Sequence, residues 1–336
     1  MQELADRVGI ELPKQEMTSA QRREADRRTQ LLEINKEAAK YFYMLLRGPR
    51  GQRAHEYFKK ERAFLMRQLQ KFGLGYSDQY SDDLYKYLRS KGYDDEILKE
   101  TGLVTIDEVR GGHDKFWNRA MFPIMDVHNR VIGFGGRVMG DGEPKYLNSP
   151  ETKIFDKSRN LYGLNIARST RKNQLLLCEG YMDVIALHQA GFDNAVASLG
   201  TALTSGHASL LKRYTNEVYL TYDSDGAGVK AALRAIPILK EVGITTKVIN
   251  MRPYKDPDEF IKRLAHRSMR SVSKRLKTAL CFRYGSCRQA MIWTIPSQKP
   301  HFIMKSQRSC LGLPRSLSGQ TIRRQCPEST AYHTTT

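Results

Sequence analysis

Apolar residues recur at helical spacing early in the chain, at Leu31, Ile34, Ala38, Phe42 and Leu45. This spacing predicts an amphipathic helix that ends at the Gly-Pro pair at residues 48–49. Similar patterns predict helices at about residues 54–72 and 82–98, separated by glycines. The polar stretch at residues 18–28 is typical of a solvated helix or a linker. The first third of the chain is therefore predicted to be a helical subdomain.

The pattern changes to short apolar runs beyond residue 111. Runs at residues 120–125 and 131–134 flank a polar segment, which predicts a hairpin. Further along, apolar runs at residues 174–178, 194–198, 217–222 and 246–250 alternate with helical patterns at residues 182–190, 206–214 and 226–242. Buried strands that alternate with helices predict a parallel sheet covered on both faces. The fold class is α/β (α+β overall): a helical and mixed N-terminal subdomain, then a parallel sheet flanked by helices.

Residues 265–336 have no sustained periodicity and are predicted to be irregular. They contain 13 Lys and Arg but a single acid, Glu328, so they carry +12 of the net charge of +19. The excess of basic residues, which suggests a polyanionic partner, is thus concentrated in this tail. One interpretation is a disordered basic tail that binds nucleic acid. We prefer translation out of frame, because Trp293, Phe302 and four of the five cysteines are unusual in such tails.

Other classes of protein are excluded by composition. No apolar run reaches the length of a membrane span, and the N-terminus lacks the apolar core of a secretory signal, so a cytoplasmic protein is expected. No Cys-x-x-Cys pair supports a zinc ribbon or a redox site. Cys178, within an apolar run, is expected to be a small buried hydrophobe.

Acidic residues follow three of the predicted strands. Glu179 comes directly after the first strand, Asp223 and Asp225 follow another, and Asp256 and Asp258 follow the last. Ligands bind at the carboxyl ends of strands in open α/β sheets, so these side chains are expected to converge. Clustered carboxylates repel one another, and hard oxygen ligands select Mg²⁺ or Mn²⁺ as the counter-charge.

The alternative for each motif is a simple turn. Asp-x-Asp-x-x-Gly is common in surface turns, where Asp and Gly satisfy local backbone geometry. A calcium EF-hand is excluded because Ala227 and Arg234 stand where further acidic ligands should be. Three acidic strand ends in succession favour a metal site that could assist phosphoryl transfer.

Three acidic motifs resemble the signatures of the TOPRIM domain: Glu179-Gly-Tyr-Met-Asp183, Asp223-Ser-Asp-Gly-Ala-Gly228 and Asp256-Pro-Asp258. Four other segments resemble motifs of the bacterial DnaG-type primase family: Phe116-Trp-Asn-Arg-Ala-Met-Phe-Pro-Ile124, Val131-Ile-Gly-Phe-Gly-Gly-Arg137, Lys145-Tyr-Leu-Asn-Ser-Pro-Glu-Thr152 and Ala197-Ser-Leu-Gly-Thr201. The resemblance extends in order from about residue 31 to residue 264.

This resemblance implies a nucleotidyltransferase that copies single-stranded DNA into short RNA primers from ribonucleoside triphosphates. By position, Glu179, Asp223 and Asp225 would be the catalytic metal ligands, and the acidic cluster would be completed by Asp183, Asp256 and Asp258. The implied template- and nucleotide-binding face comprises Arg119, Arg137, Lys145, Tyr146 and Asn148. Tyr146 also offers a stacking surface beside a cation and an amide.

We predict four segments: a linker remnant (1–30), the N-terminal part of the catalytic core (31–165), the TOPRIM domain (166–264) and the aberrant tail (265–336). The family's zinc-binding domain and its helicase-docking domain are expected to be missing, so a fragment is expected. Two alternatives stay open. The chain could be another TOPRIM enzyme, such as a nuclease or topoisomerase, or an inactive fragment that binds single-stranded DNA.

Overall fold

The computed structural model describes residues 18–109, 111–251, 253–267 and 291–294. The helices are α1 (Ser19–Arg47), α2 (Gln52–Glu56), α3 (Met66–Lys71), α4 (Asp83–Ser90), α5 (Asp95–Thr101), α6 (Leu164–Ala167), α7 (Tyr181–Gln189), α8 (Ser205–Lys212), α9 (Gly226–Glu241) and α10 (Pro257–Arg267). The strands are β1 (Gly75–Ser77), β2 (Val104–Asp107), β3 (Gly111–Asp114), β4 (Arg119–Met125), β5 (Val131–Val138), β6 (Tyr146–Asn148), β7 (Gln174–Cys178), β8 (Ala195–Ala197), β9 (Glu217–Leu220), β10 (Thr245–Asn250) and β11 (Met291–Thr294). Within these residues, none of the helices combines the length and the apolar character that crossing a membrane requires.

Helix α1 begins earlier than the apolar pattern indicated. Thr18 and Gln21 form a reciprocal capping box, in which each side chain bonds to the backbone N–H of the other. Arg27 also forms an ion pair with Glu100 of α5 at 2.8 Å. The polar segment before residue 31 is therefore helical from Ser19 onward. The helix ends at Arg47, as the Gly-Pro signal predicts.

The predicted hairpin at residues 120–134 forms the centre of an antiparallel sheet with strand order β1-β4-β5-β6. Asp126 holds the turn, because its Oδ1 accepts the backbone N–H groups of His128 and Arg130 at 2.9 Å. Helix α1 packs on one face of this sheet, with the rings of Phe42 and Phe134 5.5 Å apart in an edge-to-face contact. The short edge strands β1 and β6 were not predicted.

The predicted parallel sheet is confirmed. Strands β10, β9, β7 and β8 are neighbours in that order, and each adjacent pair is parallel. Both faces are buried: Leu175 and Leu177 belong to the core under α8 and α9, whereas Leu176 and Cys178 belong to the core on the opposite face. This two-sided burial explains why the strand is a continuous apolar run rather than an alternating one.

The predicted tail lies mostly outside the described residues, and its out-of-frame origin stays a prediction. Two described segments have regular secondary structure where the sequence predicts an irregular tail from residue 265 onward. Helix α10 continues to Arg267, and β11 pairs antiparallel with β10. The pairing has a physical reason, because β10 would otherwise present its unpaired backbone groups at the edge of the sheet.

One core cluster joins the antiparallel sheet to the parallel-sheet domain. Phe122 of β4 stacks on Tyr181 of α7, with ring centroids 5.1 Å apart and planes 13° apart. Phe58 in turn meets Phe122 edge to face at 5.9 Å. Such aromatic pairs each contribute about 1 kcal/mol beyond the burial of their surface. The two sheets therefore share a core and do not merely touch.

The buried side chain of His188 in α7 should make the free energy of unfolding depend on pH. The ring is buried, lies near Nζ of Lys71 and hydrogen-bonds to the carbonyl of Ala195 through Nε2 at 3.0 Å. Burial, above all, lowers the pKa of His188 to about 4. Between pH 6.5 and 4 the unfolded chain binds a proton here that the folded chain does not, so stability falls as pH falls. We expect wild-type protein to lose about 3 kcal/mol more than His188→Gln over this range, by urea unfolding.

Comparison with the variant is needed because carboxylates whose pKa values are raised in the folded protein, such as Asp114 and Asp223, act in the opposite direction. Burial raises the pKa values of Asp114 and Asp223 to about 6. Each of these groups therefore lowers the free energy of unfolding as pH rises from about 4 to 6. Both are present in wild type and in His188→Gln, and their effects cancel in the difference. Parallel stability curves for the two proteins would contradict the role of His188.

Candidate active site

Glu179 and Asp223 meet at the carboxyl ends of two adjacent strands. β7 ends at Cys178, and Leu177 of β7 is paired with Leu220 of β9. Glu179 Oε1 accepts a hydrogen bond from the backbone N–H of Asp223 at 3.0 Å. The parallel register therefore brings together the two acidic strand ends that the sequence predicts to converge.

Asp223 and Asp225 occupy the turn between β9 and α9. Asp225 is the N-cap of α9, and its Oδ1 accepts the N–H groups of Ala227 and Gly228, both at 2.9 Å. A Cβ atom on Gly228 would lie 2.1 Å from the carbonyl oxygen of Asp223, so this tight turn requires glycine. Burial raises the pKa of Asp223 to about 6, and the charges of Glu179 and Asp256 reinforce the shift.

Asp183 lies in the first turn of α7 and faces the same acidic group. It is buried, and its Oδ2 accepts the backbone N–H of Gly180 at 3.1 Å. Burial raises the pKa of Asp183 well above its ordinary value, and the neighbouring charges of Asp256, Asp223 and Asp258 raise it further. The acids from three separate strand ends thus act on one another electrostatically.

Asp256 and Asp258 come from the loop and first turn that lead into α10. The backbone N–H of Ser224 donates to the carbonyl of Lys255 at 2.7 Å, which ties this loop to the turn after β9. Asp256 Oδ1 accepts the N–H of Glu259. Asp258 is neutralised by Arg62 at 3.1 Å and by Lys262 at 2.8 Å.

The donor set suits a hard divalent cation, although several of the carboxylates also accept backbone hydrogen bonds. In the described ranges (18–109, 111–251, 253–267 and 291–294), no three Asp, Glu, His or Cys side chains lie close enough together to hold a metal ion. Glu179, Asp183, Asp225 and Asp256 each commit one oxygen to a backbone N–H. Each carboxylate still has a second oxygen. Burial and the neighbouring negative charges raise the pKa values of Asp183 and Asp223, so cation binding would relieve repulsion among the acids.

Arg137 of β5 and Tyr146 of β6 are paired across the antiparallel sheet, and Lys145 directly precedes β6. The Arg137 guanidinium lies 4.7 Å from the centroid of the Tyr57 ring. Its Nε is buried and has no hydrogen-bond partner among the described residues. Lys145 is exposed, and Tyr146 is 40% exposed.

Arg119 and Asn148 make contacts within the protein. Arg119 is buried, and its Nη1 donates to the carbonyls of Gly136 at 3.2 Å and Pro144 at 2.8 Å. Asn148 donates from Nδ2 to the carbonyl of Leu199 at 2.8 Å, and its Oδ1 accepts from the hydroxyl of Tyr181. Both residues lie beside the predicted face, but in this structure their polar atoms bond to the protein itself.

The sequence did not single out Arg62 and Tyr57. Arg62 donates from Nε to the Tyr57 hydroxyl at 2.7 Å while its Nη1 pairs with Asp258. The five residues before it, Tyr57–Glu61, form a π-helical turn, which is rare and often marks a functional site. Nothing in the stretch Lys59-Lys-Glu-Arg62 distinguishes this arginine from a solvated surface charge.

Two family models match the chain. Residues 41–168 match "DNA primase catalytic core, N-terminal domain", and residues 176–261 match "Toprim-like". The DNA primase of Clostridium acetobutylicum is 44% identical over 263 residues, which are 77% of this chain and 43% of that protein. The DNA primase of Listeria monocytogenes is 35% identical over 305 residues, 89% of this chain and 46% of that protein. The chain thus spans less than half the length of these relatives.

Solved structures agree with the family models. A DnaG primase catalytic domain bound to single-stranded DNA superposes with a TM-score of 0.66 at 36% identity, and the match covers 73% of this chain and 78% of that one. The Aquifex aeolicus primase, with zinc-binding and RNA polymerase domains, gives a TM-score of 0.66 at 34% identity and covers 81% and 65%. With two family models matched in order and most of a solved primase core covered, the chain belongs to the DnaG primase catalytic-core family.

Proposed function

We propose that this chain synthesises RNA primers on a single-stranded DNA template by metal-dependent nucleotidyl transfer. The contact between Glu179 and the backbone of Asp223 is the observation that carries the proposal, because it joins two acidic strand ends in one site. Relatives named DNA primase and a solved DnaG core bound to single-stranded DNA support the same reaction class.

Glu179, Asp223 and Asp225 would hold Mg²⁺ or Mn²⁺, with Asp183 and Asp256 completing the negative field. A bound divalent ion supplies Lewis-acid stabilisation of charge that develops on the reacting phosphate. The protein's own contribution is to fix the acids: backbone N–H groups hold one oxygen of several carboxylates, so little reorganisation is needed when a ligand arrives. Asp258, neutralised by Arg62 and Lys262, would orient the neighbouring loop.

Arg137 and Lys145 would bind the phosphates of template or nucleotide, and Tyr146 would stack on a base. Arginine presents a fork that suits phosphate oxygens, and the buried, unpartnered Nε of Arg137 is a donor that a ligand could use. The ligands implied are single-stranded DNA and ribonucleoside triphosphates. Contact with a replicative helicase is an expectation for the full-length family. A bacterial replication enzyme of this kind would act in the cytoplasm.

Glu179→Gln tests the reaction directly. The substitution keeps the shape of the side chain and one acceptor oxygen for the Asp223 N–H but removes the negative charge. We expect primer synthesis to fall by about 10³-fold, the scale of losing one charge-stabilising group at a reacting centre. Binding of single-stranded DNA, measured by fluorescence anisotropy, should change by less than about twofold because the basic face is untouched.

Glu217→Gln is the matched control, because Glu217 lies at the opposite end of β9 and pairs with Lys247. It should synthesise primers at the wild-type rate. Undiminished synthesis by Glu179→Gln would contradict the role of the acidic cluster, and nicking of supercoiled plasmid without primer synthesis would instead indicate a nuclease.

Metal binding should also stabilise the fold, because a cation offsets repulsion among the buried acids. We expect Mg²⁺ or Mn²⁺ at about 100 times its Kd to add about 2.7 kcal/mol of stability, measured as a rise in Tm that a chelator reverses. Asp183→Asn removes one of the repelling charges, so it should raise the metal-free Tm and reduce the increase that metal produces.

Asp193→Asn provides the control for this experiment, since Asp193 pairs with Lys172 away from the cluster. Its metal-induced rise in Tm should equal that of wild type. A wild-type Tm that is independent of both ions would refute the proposed metal site.

A further inference from the structure

The side chain of Tyr181 is tightly packed beside the acidic cluster. Tyr181 is the first residue of α7, two positions after Glu179. Its ring is stacked on Phe122 and meets Tyr162 edge to face at 4.6 Å. A Cβ atom on Gly135 of β5 would lie 2.5 Å from the ring carbon that carries the Tyr181 hydroxyl, so the strand passes directly against the phenol. The hydroxyl therefore has little freedom to move.

The amide of Asn148 is oriented at both ends. Its oxygen accepts from the Tyr181 hydroxyl, and its nitrogen donates to the carbonyl of Leu199, which can only accept. Gly200, in the left-handed region at φ +71°, allows the loop after β8 to approach this amide, because a Cβ atom there would lie 2.9 Å from Nδ2. Asn148 thus joins β6 to two elements of the parallel-sheet domain.

Strand β6 needs such an anchor. It contains three residues and, among the described strands, is paired with β5 alone at the edge of the sheet. Side chains two positions apart lie on the same face of a strand, so Tyr146 and Asn148 share a face. Lys145 directly precedes the strand. The position of Asn148 therefore determines where Lys145 and Tyr146 lie relative to the acids.

We propose that Tyr181 and Asn148 are positioning residues that hold the nucleotide-binding edge of the antiparallel sheet at a fixed distance from the acidic cluster. In this arrangement Asn148 acts through Tyr181 and does not contact the substrate. The proposal rests on the primer-synthesis function proposed above, and it assigns to Asn148 a task different from the ligand role that the family resemblance implies.

Tyr181→Phe removes only the hydroxyl of the bridge and keeps the ring that fills the core. Because the binding residues remain but are less well placed, we expect kcat for primer synthesis to fall about tenfold. KM for ribonucleotides should change by less than about twofold, and Tm should fall by no more than about 4 °C. A purely structural role for the hydroxyl would lower Tm and leave kcat unchanged at temperatures where the protein is folded.

Tyr162→Phe is the matched control. Tyr162 is a buried neighbour in contact with the same ring, and its hydroxyl has no hydrogen-bond partner within the described part of the chain. Removal of this hydroxyl should leave kcat and KM at wild-type values. The pair of variants therefore compares the loss of a bridging hydroxyl with the loss of a hydroxyl that bridges nothing.

A double-mutant cycle separates positioning from direct binding. If Asn148 acts through Tyr181, Asn148→Ala should lower kcat, and the double variant with Tyr181→Phe should be no worse than Asn148→Ala alone. If Asn148 contacts the nucleotide, Asn148→Ala should instead raise KM, and the two losses should multiply. Multiplied losses, or wild-type kcat in Tyr181→Phe, would overturn the proposal.

Hydrogen exchange tests the bridge without any reference to activity. The backbone amides of β6 should exchange about tenfold faster in Tyr181→Phe than in wild type or in Tyr162→Phe, because the strand loses an anchor worth about one hydrogen bond. Unchanged exchange would refute the bridge even if primer synthesis is confirmed. A wild-type chain that makes no primers but passes the exchange test would refute the proposed function alone.

Discussion

The structure depends on one electrostatic constraint: several carboxylates are held together at the carboxyl end of a parallel sheet with little positive charge among them. Backbone N–H groups make this possible, since each donates to one oxygen and leaves the other free. The N-terminus of α9 holds Asp225, the first turn of α7 holds Asp183, and the turn after β9 holds Glu179. The acids are therefore fixed by the fold before any cation is bound.

The basic side chains are arranged differently from the acids. Apart from Lys262 of α10, they come from the antiparallel sheet and from Arg62, which follows the π-helical turn. Most of the positive charge and the acids therefore lie on separate structural units. Arg62 connects these units, because it contacts Tyr57 on one side and Asp258 on the other. The relative placement of the two units therefore determines the geometry of the site as much as any single residue does.

Much of this could be predicted from the sequence. The strands of the parallel sheet are apolar runs buried on both faces, and the acids that follow them form recognisable motifs. The convergence of Glu179 and Asp223 therefore follows from the sequence. Strands β1 and β6 were missed because Gly75-Tyr-Ser77 and Tyr146-Leu-Asn148 contain too few apolar residues to form a recognisable run. The burial of Arg119 and the internal bonds of Asn148 depend on long-range packing, and no local pattern distinguishes them from solvent-exposed ligands.

The shared aromatic core has a consequence for how the molecule can be divided. The sequence predicts a boundary between two units at residue 165. Phe122 from the first unit nevertheless stacks on Tyr181 from the second. Either half expressed alone would expose this apolar surface to water. In this chain the two sheets are therefore expected to melt in a single transition.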